Sequence, residues 1–135
     1  MASNSTKYLV GLVGPDVLEA AEKDLFHPVR LDLDSCGAIE IRYDFFEEST
    51  WATLSERVRN VAPGKLQIGT IRLHRDGGKF SDARAVERIA LWEKILGAGQ
   101  VPEWIDLERD CLSDFKALND DARPRGVSIL VSEHN

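Results

Sequence analysis

Short compact apolar runs alternate along this chain with longer stretches in which apolar residues recur every third or fourth position. The first spacing suits a strand buried on both faces and the second a helix with one buried face, so the alternation predicts successive βα units and a parallel sheet. Tyr8–Val13 is the first such run, and Gly14-Pro15-Asp16 separates it from a short helix over Val17–Lys23. Ala38–Tyr43 follows Gly37 as the second strand. Ser49-Thr50 then stands where it would cap a helix whose Trp51, Leu54, Val58 and Val61 share one face, ended by Pro63-Gly64. Leu66–Arg72 reads as the third strand, broken by Asp76-Gly77-Gly78, after which Ser81 opens a helix with Val86, Ile89, Ala90, Ile95 and Leu96 on one side as far as Gly97. Trp104–Glu108 is a fourth, short strand. A helix is expected from about Cys111 to Ala122, and beyond Pro124 the run Val127–Ser132 is the fifth strand. No low-complexity tract or linker interrupts the pattern, so residues 1–135 are expected to form a single domain.

The strands depart from an apolar pattern at one end only. Glu40 and Arg42, Thr70 and Arg72, Asp106 and Glu108, and Ser132 and His134 are pairs two residues apart, hence on one face of the chain, and each lies near the C-terminal end of its strand. In parallel α/β architectures that end carries the ligand site, because the loops and helix N-termini gather there. The pattern therefore describes a polar mouth over an apolar body. A doubly wound sheet and a closed barrel would both place these residues together.

Composition narrows the partners. A net charge of −6 gives no electrostatic attraction to nucleic acid or to an anionic membrane, so neither is expected as a partner. No apolar run approaches the roughly 18 to 20 residues that cross a bilayer, and the N-terminal stretch has no signal-peptide pattern, so a cytoplasmic protein is expected. Cys36 and Cys111 have no metal-ligand or redox spacing and read as structural thiols.

At the mouth, Glu40 and Arg42 are open to two readings, an ion pair closing the rim or part of a ligand site. Arg72 at the next strand exit favours the second, since two guanidinium forks suit a carboxylate or hydroxyl-rich ligand. Asp76-Gly77-Gly78 is a turn by composition but sits above the same mouth. Asp106 and Glu108 read as carboxylates answering neighbouring arginines. His134 follows a buried strand at the same end, where a neutral imidazole oriented by Asp76 or Glu40 could move protons. His27 and His74 read as structural or solvent-facing, and no pair of histidines has metal-ligand spacing, so no metal site is expected.

Taken in order, Glu40-Ile41-Arg42-Tyr43-Asp44, Thr70-Ile71-Arg72 with Asp76-Gly77-Gly78, Trp104-Ile105-Asp106-Leu107-Glu108 and Val131-Ser132-Glu133-His134 resemble type I 3-dehydroquinate dehydratase across almost the whole chain. The resemblance implies a TIM (β/α)8 barrel of which about five strands are present, and dehydration of 3-dehydroquinate in the shikimate pathway through a lysine imine, with no separate cofactor. It implies that Glu40, Arg42 and Arg72 bind substrate and that His134 is the general acid/base. Asp76 stands where the family usually has glutamate, one methylene longer. The family's imine lysine belongs to a sixth strand, beyond the last residue of this sequence. Lys65 lies at the wrong end of its strand, and Lys79 matches no family lysine. About five strands of a barrel leave two raw edges and an open apolar face, so a homo-oligomer is expected.

Overall fold

The computed structural model describes residues 9–108 and 115–132. Five strands, β1 (Val10–Val13), β2 (Ala38–Arg42), β3 (Leu66–Thr70), β4 (Trp104–Glu108) and β5 (Ser128–Ser132), form one sheet in the order β1-β2-β3-β4-β5, with every neighbouring pair parallel. Parallel neighbours need a crossover that returns the chain to the starting edge. The helices α1 (Pro15–Lys23) and α2 (Pro28–Asp34) provide the first, and α3 (Trp51–Val61), α4 (Arg88–Leu96) and α5 (Phe115–Ala122) lie in the later ones.

Side-chain alternation gives the sheet two unlike faces. Val13, Ile39, Ile41, Ile105 and Leu107 point toward the helices and are each 2% exposed or less, packed with Leu18, Leu54, Val58, Trp92 and Leu118. Gly69 belongs to this face. A Cβ there would come within 2.9 Å of Trp92 and 3.0 Å of Tyr43 and Pro102, so the missing side chain is what lets α4 seat its tryptophan on β3. On the other face, register sets Leu12, Glu40, Ile68 and Trp104 in one row, with Arg42, Thr70, Asp106 and Leu130 in the next. No described element covers that face, and Val10, Leu12, Leu66, Trp104 and Leu130 are between 38% and 52% exposed.

The N-terminal end of the sheet is closed by a polar network. Arg59 of α3 donates to Glu103 at 2.9 Å and to the Val101 carbonyl at 3.0 Å, and Glu103 accepts the Gln67 N–H at 2.9 Å. These bonds fix α3 against the starts of β3 and β4, leaving the opposite, C-terminal end as the open one.

Several elements differ locally from expectation. Residues 28–34, for which the apolar pattern predicts no element, form α2, with Pro28 in its first turn and His27 as N-cap, its Nδ1 accepting the Val29 N–H at 3.1 Å. Ser49-Thr50 lies in a 3-10 turn, and the Thr50 hydroxyl donates back to the Glu47 carbonyl rather than capping α3. Residues 82–87 are a 3-10 segment preceding α4. Its threefold period turns Val86 out to 89% exposure, and Ala90 is also exposed, so the apolar side of α4 is Trp92, Ile95 and Leu96 with Ile89 half-buried. The third strand stops at Thr70, and Ile71-Arg72 leads out of the sheet. Cys111 lies outside the described residues.

Candidate active site

The exits of β2, β3, β4 and β5 carry polar side chains, and most are already engaged. Glu40 and Arg42 do not pair with each other. Glu40 Oε2 accepts a 2.7 Å hydrogen bond from Thr70 of the neighbouring strand. Arg42 turns to Asp44, donating from Nε at 3.0 Å and from Nη2 at 2.8 Å, with its guanidinium carbon 4.2 Å above the centre of the Phe45 ring. This fork-to-fork pair is buried, with 8% of the Arg42 side chain and none of the Asp44 side chain exposed. Asp44 reaches back because Tyr43–Phe45 is a 3-10 turn, not a continuation of the strand.

Arg72 leaves β3 and donates from Nη2 to Asp106 Oδ2 at 3.0 Å. Asp106 is almost fully buried, yet its Oδ1 and the Arg72 Nε have no hydrogen-bond partner among the described residues. Beyond Arg72 the chain folds back on itself. The Phe80 N–H donates to the Arg72 carbonyl at 3.0 Å, and the Gly78 N–H to the Leu73 carbonyl at 2.8 Å. Gly77 takes φ +91°, and a Cβ on Gly78 would stand 2.1 Å from the Arg72 oxygen, so Gly77-Gly78 serves both the turn and the close approach. Asp76 ends the 3-10 turn His74–Asp76 and has its carboxylate mostly shielded, 4.0 Å from the Arg75 Nε. Lys79 is exposed with its ammonium 5.1 Å from the Phe45 ring centre, and its backbone N–H donates to Asp44 Oδ2 at 3.0 Å.

Farther along the rim, Glu108 accepts from the Arg88 Nη1 at 2.8 Å in a second buried ion pair. The Ser132 hydroxyl is buried without a partner among the described residues. His134 lies outside them, so its distance to Asp76 or Glu40 is not part of this geometry. Among the sequence candidates, Glu40, Arg42, Arg72 and Asp76 are thus gathered on or above the exits of β2 and β3. Asp44 joins this group, although nothing in the sequence pattern marks it as a site residue. Its signal is weak in sequence because its contact depends on the 3-10 turn. No cluster of three or more His, Cys, Asp or Glu among the described residues has metal-binding geometry.

A sequential all-parallel sheet with helices on one face and an arginine-rich polar rim at the strand exits defines an α/β protein of the barrel-forming kind, with its candidate site at the C-terminal mouth. The chain belongs to the Type I 3-dehydroquinase family, whose family model matches residues 9–135. Solved structures agree on the fold. The 3-dehydroquinate dehydratase from Aquifex aeolicus VF5 superposes with a TM-score of 0.66 at 16% identity, over 92% of this chain and 51% of that one. The Geobacillus kaustophilus HTA426 enzyme gives 0.66 at 21% identity, over 93% and 49%. The type I enzyme from Clostridium difficile, in a structure with covalently modified comenic acid, gives 0.68 at 20% identity over 90% and 48%. No curated protein sequence matches the chain. The fold is therefore a set of five parallel strands with the helices of a (β/α)8 barrel, and the chain spans about half the length of the structures it matches.

Proposed function

We propose that this chain supplies the substrate-gripping part of a type I 3-dehydroquinate dehydratase site. The observation that carries the reading is the pair of arginines at adjacent strand exits. Arg42 is tied down through its Nε and Nη2, which leaves Nη1 without a bond to any described residue and available to a ligand. Arg72 is held by Asp106 from the neighbouring strand. Two oriented guanidinium groups beside Glu40 suit a small polyhydroxylated carboxylate such as 3-dehydroquinate.

In the full reaction a lysine amine condenses with the substrate ketone, releasing water, and the resulting imine accepts electrons as the adjacent C–H bond breaks. His134 takes that proton and returns one to the departing hydroxyl, which leaves as water; hydrolysis of the product imine frees the lysine. Asp76 is the carboxylate that orients His134 in this reading. The family position of the lysine lies outside residues 1–135, and in this reading these residues contribute binding and proton transfer. A cytoplasmic setting and a small-molecule partner follow from the same reading; among the described residues no helix is long and apolar enough to cross a membrane.

Calorimetric titration with 3-dehydroquinate tests it. Binding is expected, with Arg72→Lys weakening it about tenfold or more by removing the fork, while borohydride added with the ligand leaves the chain unmodified. Absence of binding would remove the substrate-gripping role, and a borohydride adduct would place an imine lysine within these residues.

A second reading rests on the uncovered inner face. Val10, Leu12, Leu66, Trp104 and Leu130 form an exposed apolar floor beneath the polar rim, and β1 and β5 are both edges. In this reading the chain is a half-barrel module that associates with a further copy to cover that floor.

A further inference from the structure

We infer that Asp44 is a positioning residue that joins two strand exits of the candidate site, holding Arg42 in its ligand-facing orientation and anchoring the loop that carries Asp76. The inference rests on the substrate-gripping reading above and extends it to a residue that does not itself touch ligand. Asp44 has no exposed side-chain surface and accepts three hydrogen bonds. Two come from Arg42, at 3.0 and 2.8 Å, and the third from the Lys79 backbone N–H at 3.0 Å. One buried carboxylate thereby connects the exit of β2 with the loop after β3, across 35 residues of sequence.

The geometry decides which edge of Arg42 is free. A guanidinium offers two donor edges, Nε with one Nη and the two Nη groups together. Asp44 occupies the first, and the Phe45 ring 4.2 Å below the guanidinium carbon fixes its plane, so the second edge is the one presented outward. Arg72 provides the contrast. Its bond to Asp106 is single, with Arg72 Nε and Asp106 Oδ1 both left without partners among the described residues, so its orientation is less determined. The Lys79 bond adds the second function. Asp76 stands three residues before Lys79 and is joined to it through the hydrogen-bonded Gly77-Gly78 turn, so a fixed point at Lys79 holds that turn, and the Asp76 carboxylate it carries, against the exit of β2.

Asp44→Asn keeps the size of the side chain but puts an amide donor among donors. Two readouts separate this inference from the functional reading it rests on. Hydrogen exchange of the Lys79 amide needs no ligand: protection is expected in the wild-type chain and a loss of about tenfold or more in the variant, with core amides of β2 and β3 unchanged. Affinity for 3-dehydroquinate is expected to weaken about tenfold in the same variant. If the wild-type chain binds no 3-dehydroquinate, the functional reading fails and the Lys79 exchange still decides the anchoring role. Unchanged exchange at Lys79 together with unchanged affinity overturns the inference. Should Asp44→Asn fail to fold, Lys79→Pro removes the loop donor and leaves the buried pair in place, with Lys79→Ala, which loses the same ammonium but keeps the N–H, as its reference; the proline variant is expected to bind several-fold more weakly than the alanine variant, and equal affinity in the two overturns the anchoring role.

Discussion

Tyr43 places a phenol in the interior where no described group can bond it. Its ring meets Trp51 edge-on at 5.8 Å between centroids and Trp92 at 5.2 Å, so the aromatic body is well used while the hydroxyl has no partner among the described residues. A buried unsatisfied hydroxyl is a net cost. Tyr43→Phe is therefore expected to leave stability unchanged or raise it by up to about 1 kcal/mol, measured by urea denaturation. A clear loss would mean that the hydroxyl is bonded after all. Burial also pushes the Tyr43 phenol well above its ordinary range, outweighing a smaller opposing effect of Arg59. Because the folded state holds the proton more tightly than the unfolded state, the neutral phenol's contribution is complete below the ordinary tyrosine range near pH 10 and is lost progressively as pH rises beyond it. Tyr43→Phe should flatten that alkaline decline.

Among the elements, the turn after β3 gives the sharpest contrast between neighbouring positions. Gly77→Ala meets open space and costs only its left-handed backbone, about 1 kcal/mol, whereas Gly78→Ala drives a methyl group onto the Arg72 carbonyl and is expected to cost more than about 2 kcal/mol. Equal losses in the two variants, by thermal denaturation, would contradict the close approach. The strands were legible in the sequence to within two residues over their described parts, because each is a short apolar run punctuated by glycine or proline. The helix α2 was not, since seven residues with Pro28 in the first turn and three charges carry too little periodicity. The 3-10 segment before α4 escaped for a related reason: Val86 has a helical spacing to both Ile89 and Ala90, and that spacing does not reveal that residues 82–87 wind as a 3-10 segment in which Val86 lines up with exposed Ala83. At the candidate site, the rim residues could be picked out as polar interruptions near the strand ends. Their partners could not, because Glu40 to Thr70 and Arg72 to Asp106 are fixed by register between strands, and Arg42 to Asp44 by a change of backbone period at a strand end.

At the scale of the whole molecule, the sheet buries one face and leaves the other half open. Trp104, Leu12 and Leu130 on that open face make concentration-dependent self-association the expected behaviour, with apparent mass by light scattering rising with concentration and little affected by salt. The double variant Leu12→Lys with Leu130→Lys should suppress it, since both side chains point away from the helix-packed core. A wild-type chain that stays monomeric at high concentration would count against the assembly reading. The strand order has a different consequence. Every described strand neighbours only those before and after it in the chain, so each strand from β2 onward finds one of its sheet neighbours already synthesised. A chain leaving the ribosome can thus build this sheet from one edge, each new strand docking on a finished predecessor, so that among the described strands no pairing has to wait for more than the next βα unit.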